Sequence, residues 1–185
     1  MIFLKVFRYL RHHLIEKWKF IYFEIDIQNY SSKFPIDKKL KILNAKNHHL
    51  DKIREDLYPY FTHKQEFDTR YINNIGEDGI NCFLAEKNGK FIHYFMVFSD
   101  AKKSPLINTP FKKNSITNED VYLGNAYTVP HERGALVLPS TLDAIMRHLK
   151  ENFKEKRRVI LLVHQDTLGA EKFFSILGFR KISPH

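Results

Sequence analysis

The stretch TVPHERGALVLPSTL, residues 128–142, decides how this chain is read. Its first two residues close VYLGNAYTV (121–129), which reads as a strand. Pro130 breaks that run and Arg133-Gly134 supplies a turn. PSTLDAIMRHLKENF (139–153) then follows helical spacing, with Leu142, Ile145, Met146 and Leu149 on one face. Pro139 falls in the first turn, where a missing N–H costs little. A strand running through a short turn into a long helix leaves orphan backbone N–H groups at the helix start, a place that favours an anion.

On the C-terminal side, RRVILLVHQ (157–165) is an apolar run of the kind found in a strand covered on both faces. TLGAEKFFSILGF (167–179) reads as a short helix closed by Gly178, and RKI (180–182) as a last strand. Toward the N-terminus, INCFLAEK (80–87) and KFIHYFMVFSD (90–100) form a hairpin. Asn88-Gly89 between them suits a primed turn, in which both central residues take positive φ. KLKILNA (39–45) reads as a strand, and NHHLDKIREDLYPYF (47–61) as a helix that Asn47 caps, with Leu50, Ile53 and Leu57 inward. HKQEFDTRYINN (63–74) reads as a second helix. The polar run AKKSPLINTPFKKNSITNED (101–120) reads as a loop. The order β–α–α–β–β–β–α–β–α–β predicts an α/β chain with a mixed sheet and helices on both faces.

Ahead of this order, Phe3, Phe7, Leu10, Leu14, Trp18 and Ile21 form one apolar stripe, with Lys5, Arg8 and Arg11 off it. Such a basic amphipathic helix can pack on its own domain, on a second copy in a homodimer, or on an anionic membrane surface through residues 1–22. FIYFEIDI (20–27) extends from it as a strand or arm. We therefore divide the chain into 1–38, an amphipathic helix and extended arm, and 39–185, the α/β domain. Charge interrupts every early apolar run, which argues against a secretory or membrane-spanning segment and for a cytoplasmic protein, with peripheral contact to the inner membrane surface as the alternative. Lys and Arg outnumber Asp and Glu by 30 to 21, a net +9 that favours anionic partners without choosing among them. The one cysteine, Cys82, lies in a predicted strand and reads as a buried thiol.

From Val121 to Ile182 the sequence resembles the GNAT superfamily of acyl-CoA N-acyltransferases. The motifs that carry the likeness are V-x-P followed by Arg-Gly and a helix (TVPHERGALVLPSTL), and an Ala, aromatic-pair, Gly-Phe pattern (TLGAEKFFSILGF). The element order extends it to about residues 39–182. The resemblance implies a GNAT-like fold in which the strands over 121–129 and 158–164 splay apart, with acetyl-CoA as co-substrate between them. Its binding residues would be Thr128, Val129, Arg133, Gly134, Ala135, Leu136, Val137, Leu138, Thr167 and Phe174, with Val129 on the exposed strand edge. The family's further glycines are replaced by Leu136 and Leu138, its asparagine by Thr167, and a tyrosine that protonates the departing thiolate by Phe174. A leucine keeps its backbone donor, so the phosphate grip survives if the side chains point away.

Acyl transfer to an amine needs a base and a polarised carbonyl. His164, closing its strand, is the first candidate base. Asn125 and Tyr127, on one side of a regular strand, are candidates to orient the acceptor. Glu119, Asp120 and His93 are weaker candidates for a proton path, and a backbone N–H near Val129 for the carbonyl. No Cys/His spacing suits zinc, and no metal is expected. The expected function is acetyl-CoA-dependent N-acetyl transfer to a small amine or amino sugar. The alternatives are a catalytically degenerate GNAT-fold binding module and, through KEKRR (154–158), nucleic-acid binding, which is not expected to be specific.

Overall fold

The computed structural model describes residues 20–32, 34–62, 69–77, 79–108, 116–134 and 136–183. The stripe read over residues 3–18, residues 63–68 of the second predicted helix, and Ala135 lie outside them.

Seven strands form one mixed sheet: β1 Phe20–Asp26, β2 Lys41–Asn44, β3 Ile80–Lys87, β4 Lys90–Phe98, β5 Asp120–Thr128, β6 Arg158–His164 and β7 Arg180–Ile182. They lie side by side in the order β2-β3-β4-β5-β6-β1-β7. The helices are α1 Leu50–Leu57, α2 Thr69–Ile72, α3 Val137–Asn152 and α4 Ala170–Ile176. Strand and helix order from residue 39 onward is as predicted. Two apolar clusters back the sheet. One gathers Ile53, Leu57 and Ile72 from α1 and α2 with Tyr94, Tyr122 and Tyr127. The other gathers Leu142, Ile145, Met146 and Phe174 from α3 and α4 with Phe23, Leu123 and Leu161. The β3–β4 turn has Asn88 at φ +52° and Gly89 at +78°, as the primed turn requires. Asn47 does not cap α1. It opens a 3-10 turn whose preceding Lys46 N–H donates to Nδ1 of His49 at 2.9 Å.

The N-terminal arm is part of the sheet. FIYFEID is β1, inserted between β6 and β7 and antiparallel to both. Tyr22 faces the α1/α2 cluster, while Phe23 and Ile25 face the α3/α4 cluster, so β1 is buried on both sides. Residues 20–26 thus lie on one sheet with residues 41–182, across the boundary drawn at residue 38.

An ion cluster fixes one end of this sheet. Arg158 on β6 donates through Nε and Nη2 to both carboxylate oxygens of Asp120 on β5, each at 2.7 Å. Its Nη1 reaches Glu24 on β1 at 3.0 Å, and Arg180 on β7 pairs with the other oxygen of Glu24. Four strands are therefore tied at the end where β5 and β6 begin. Asp120 is only 2% exposed, and a buried carboxylate needs this pairing. Hydrogen bonding to Asp120 comes first among the causes that raise the Arg158 pKa further above its usual value.

Candidate functional site

From the ion-paired end, β5 and β6 run parallel and pair only from Asp120↔Arg158 to Leu123↔Leu161. Beyond that, β5 stays with β4 while β6 stays with β1, through Phe20↔His164. The two parallel strands therefore diverge. A cleft of about 770 Å³ opens between them, with Tyr122, Gly124 and Asn125 along β5, Leu162 and His164 along β6, and Leu138, Thr167 and Phe174 from the flanking elements.

A β-bulge shapes the β5 wall. Phe95 faces Ala126 and Met96 faces Gly124, which leaves Asn125 as the extra residue, at φ +54°. One inserted residue reverses the alternation beyond it. Asn125 borders the cleft, whereas Tyr127 turns into the α1/α2 cluster beside Tyr122 and Tyr94. The expectation that Asn125 and Tyr127 share a side is corrected on this ground. The Tyr127 hydroxyl donates to the Tyr60 carbonyl at 2.7 Å, and its ring packs against those of Phe61 and Tyr94, so it has a structural role away from the cleft. Asn125 keeps a buried Nδ2 with no partner among the described residues. A buried amide donor left unmatched costs about 1–3 kcal/mol, a cost that a ligand acceptor would relieve.

Val129 is not on a free edge: its N–H donates to the Ile92 carbonyl at 3.0 Å, so it cannot polarise a ligand carbonyl. Because that pair is hydrogen-bonded, ladder alternation turns the backbone groups of Ala126 and Thr128 away from β4, toward the gap. The Thr128 carbonyl accepts from Nε of Arg133 at 3.1 Å, and its hydroxyl meets Nδ1 of His93 at 2.8 Å. Burial pushes the His93 pKa down to about 3, and Asp120 is held in the ion cluster at the closed end. Neither serves a proton path in the cleft. Exposed Glu119 lies at that same closed end, 3.4 Å from Arg157.

At the wide end of the cleft stands the start of α3. Leu136 occupies the N-cap position without a side-chain cap, and the amides of Gly134, Leu136, Val137 and Leu138 have no acceptor among the described residues. Gly134 adopts φ +80° with open space where a Cβ would go, so its role is conformational. Of the leucines that replace glycine, Leu138 lines the cleft, whereas Leu136 is half-buried outside it. Val137 is buried. Arg133 is exposed beside the turn, its guanidinium 5.4 Å above the Tyr127 ring. Of the two leucines, the Leu138 side chain therefore borders the cleft, which stays open beside it.

His164 closes β6 at the cleft wall, its side chain 40% exposed. Nδ1 lies 3.3 Å from the Asp166 N–H and 3.4 Å from the Asp166 carboxylate. Nδ1 accepts that N–H, so in the neutral ring the proton sits on Nε2. Thr167 is exposed, its N–H bonded to the His164 carbonyl at 2.9 Å. Phe174 is buried among Phe23, Phe173 and Phe179, where it lines the cleft but has no proton to give. Burial pushes the Cys82 thiol pKa well up, which removes it as a nucleophile. Among the described residues there is no group of three His, Cys, Asp or Glu side chains that could hold a metal, and no helix long and apolar enough to cross a membrane.

Sequence reasoning missed Asp166, Tyr122 and the exposed apolar pair at the cleft, Phe20 and Leu168, the latter 99% exposed. Gly124 inside a strand was the one available signal, since an interior glycine often marks a bulge or close approach.

No family model matches the chain, and no curated protein matches it in sequence. Solved structures do match its fold. A glucosamine N-acetyltransferase region of a fungal multidomain β-N-acetylglucosaminidase superposes with a TM-score of 0.64 at 14% identity, over 89% of this chain and 20% of that one. A conserved protein of unknown function from Staphylococcus epidermidis gives 0.59 at 10% identity, over 88% of this chain and 57% of that one. The aminoglycoside N-acetyltransferase AAC(6')-Iy, in complex with CoA, gives 0.54 at 18% identity, over 78% and 93%. The chain thus spans 57% of the Staphylococcus protein and a fifth of the fungal one. Its fold is that of the GCN5-related N-acetyltransferases.

Proposed function

We propose that the chain is an acyl-CoA-dependent N-acyltransferase that uses acetyl-CoA and a small amine or amino sugar. The observation that carries this reading is the parting of β5 from β6 after Leu123 and Leu161, which leaves a cleft that reaches Leu138 at the start of α3, where the first amides have no acceptor among the described residues. A strand edge with free backbone groups suits an amide-bearing pantetheine arm, and a helix start with free N–H groups suits a diphosphate. The fold likeness supports it, since one similar structure holds CoA.

In this reading Gly134, Leu136, Val137 and Leu138 grip the diphosphate through main-chain donors, with Arg133 adding charge beside them. Thr167 and Phe174 line the arm's path. The Asn125 amide donates to a carbonyl of the bound thioester, where charge grows as the amine attacks. The amine attacks in its neutral form. As the N–C bond forms and the C–S bond breaks, the proton that the nitrogen sheds passes to the His164 imidazole, whose charge the Asp166 carboxylate 3.4 Å away then offsets, and CoA leaves as the thiolate. Phe174 supplies no acid. A thiol of ordinary pKa near ~8.5 leaves as the thiolate without one.

Isothermal titration with acetyl-CoA, followed by an acceptor screen that reads released CoA thiol over simple amines and amino sugars, tests the proposal. Absence of binding at millimolar acetyl-CoA would sink it. Binding with no turnover on any acceptor would favour the binding-module reading instead.

A further inference from the structure

We infer that Tyr122 gauges the acyl group, restricting the donor to short-chain acyl thioesters; this rests on the reading of the cleft as an acyl-CoA site. On β5, Tyr122 is the last-but-one residue paired to β6, through Ile160, so it stands where the cleft is narrowest. A Cβ placed on Gly124 would fall 2.5 Å from both Cε1 and Oη of Tyr122. The Tyr122 ring therefore lies across Gly124 and fills the volume that a side chain at 124 would take. The ring is wedged: Tyr122 is 5% exposed and packs on Phe98 with centroids 5.8 Å apart. Both Tyr122 and Gly124 border the cleft, with the unmatched Asn125 amide next along the strand.

The direction of the ligand follows from its chemistry. A CoA thioester has its diphosphate at one end and its acyl group at the other. With the diphosphate at the start of α3, the acyl group points to the narrow end, where the ring stands. Each added methylene must then displace a ring that is packed on its far side. Packed cores resist such overfilling.

Titration of the full chain with CoA, acetyl-CoA, butanoyl-CoA and hexanoyl-CoA tests this. One misfit methylene in an apolar pocket is worth about 10- to 200-fold. We expect butanoyl- and hexanoyl-CoA to bind at least about tenfold more weakly than acetyl-CoA. Tyr122→Ala should bring all three acyl forms to within about threefold of one another, with CoA itself moving least. Tyr122→Phe, which removes only the Oη over Gly124, should admit the butanoyl group and still reject the hexanoyl group. If Tyr122→Ala does not fold, the wild-type and Tyr122→Phe series decide. Equal affinity across chain lengths in the wild-type chain overturns the gauge and leaves the CoA site standing. Failure of CoA to bind at all is a distinct result, which removes the site and the gauge together.

Discussion

At Asn125 the backbone sits at φ +54° while the side chain holds a buried, unmatched Nδ2, and substitution separates the two. Asn125→Gly keeps the left-handed backbone and deletes the amide. Asn125→Ala deletes the amide and strains the backbone by about 1–2 kcal/mol. Thermal unfolding should find the glycine variant as stable as the parent and the alanine variant weaker, while both lose about 10²- to 10³-fold in turnover. Equal turnover in Asn125→Gly would remove the donor role. His93 gives a second residue-scale expectation. Burial holds its folded pKa near about 3, below the 6.5 of an ordinary histidine, so the unfolded chain binds the extra proton first. Stability is therefore full above pH 6.5 and falls, by up to about 1.4 kcal/mol per pH unit, as the pH drops toward 3. Urea midpoints measured from pH 7 to pH 4 should fall less steeply in His93→Gln. The place of His164 at the end of β6 was legible because it ends an apolar run. Tyr127 was misread because a bulge, which leaves only a weak mark in sequence, reversed every side chain after Asn125.

Among the elements, β1 was the hardest to place from sequence, and the structure gives it the most to do. Its alternation marks a strand, but nothing in FIYFEIDI says that its neighbours are β6 and β7, more than 130 residues away. Pairing partners at that separation are set by burial and charge rather than by local pattern. Glu24 of β1 carries the charge, joining Arg158 and Arg180. Asp120→Ala leaves Arg158 with one anion in place of two at a mostly buried site. About 3 kcal/mol of stability should be lost, because breaking a buried pair strands the remaining charge. Acetyl-CoA affinity of the folded fraction should change little, since the ion cluster lies at the end opposite the start of α3. Denaturant titration and binding measured on one preparation check both halves. A large loss of affinity without a loss of stability would mean that the ion cluster shapes the cleft rather than only holding the closed end together. By contrast, the β3–β4 hairpin and α3 were legible locally, because Asn88-Gly89 and the 3.6-residue stripe are short-range signals.

For the molecule as a whole, the net charge of +9 invites a nucleic-acid reading, but the densest basic run is largely committed. In KEKRR, Lys156 donates to the Asn118 carbonyl at 2.6 Å, Arg157 lies 3.4 Å from Glu119, and Arg158 is the hub of the ion cluster. In the reading proposed above, the anionic partner is one phosphorylated small molecule, held where strand divergence and the α3 start meet. The residue pattern could name the turn, but the divergence came only through the family resemblance, because it depends on the sheet closing at one end and opening at the other. The sharpest whole-molecule expectation compares CoA with pantetheine, which has the arm and no diphosphate. At a hundred times its dissociation constant a ligand stabilises by about 2.7 kcal/mol, which for a chain of this size raises the melting temperature by about 5–11 °C. CoA should produce that rise, and it should shrink as salt screens the phosphates. Pantetheine at the same concentration should leave the melting temperature within about 1 °C of the free protein, because its arm alone forgoes the charge-assisted bonds at α3. Equal shifts from the two ligands would place the affinity in the apolar cleft and leave the helix-start amides with no part in binding.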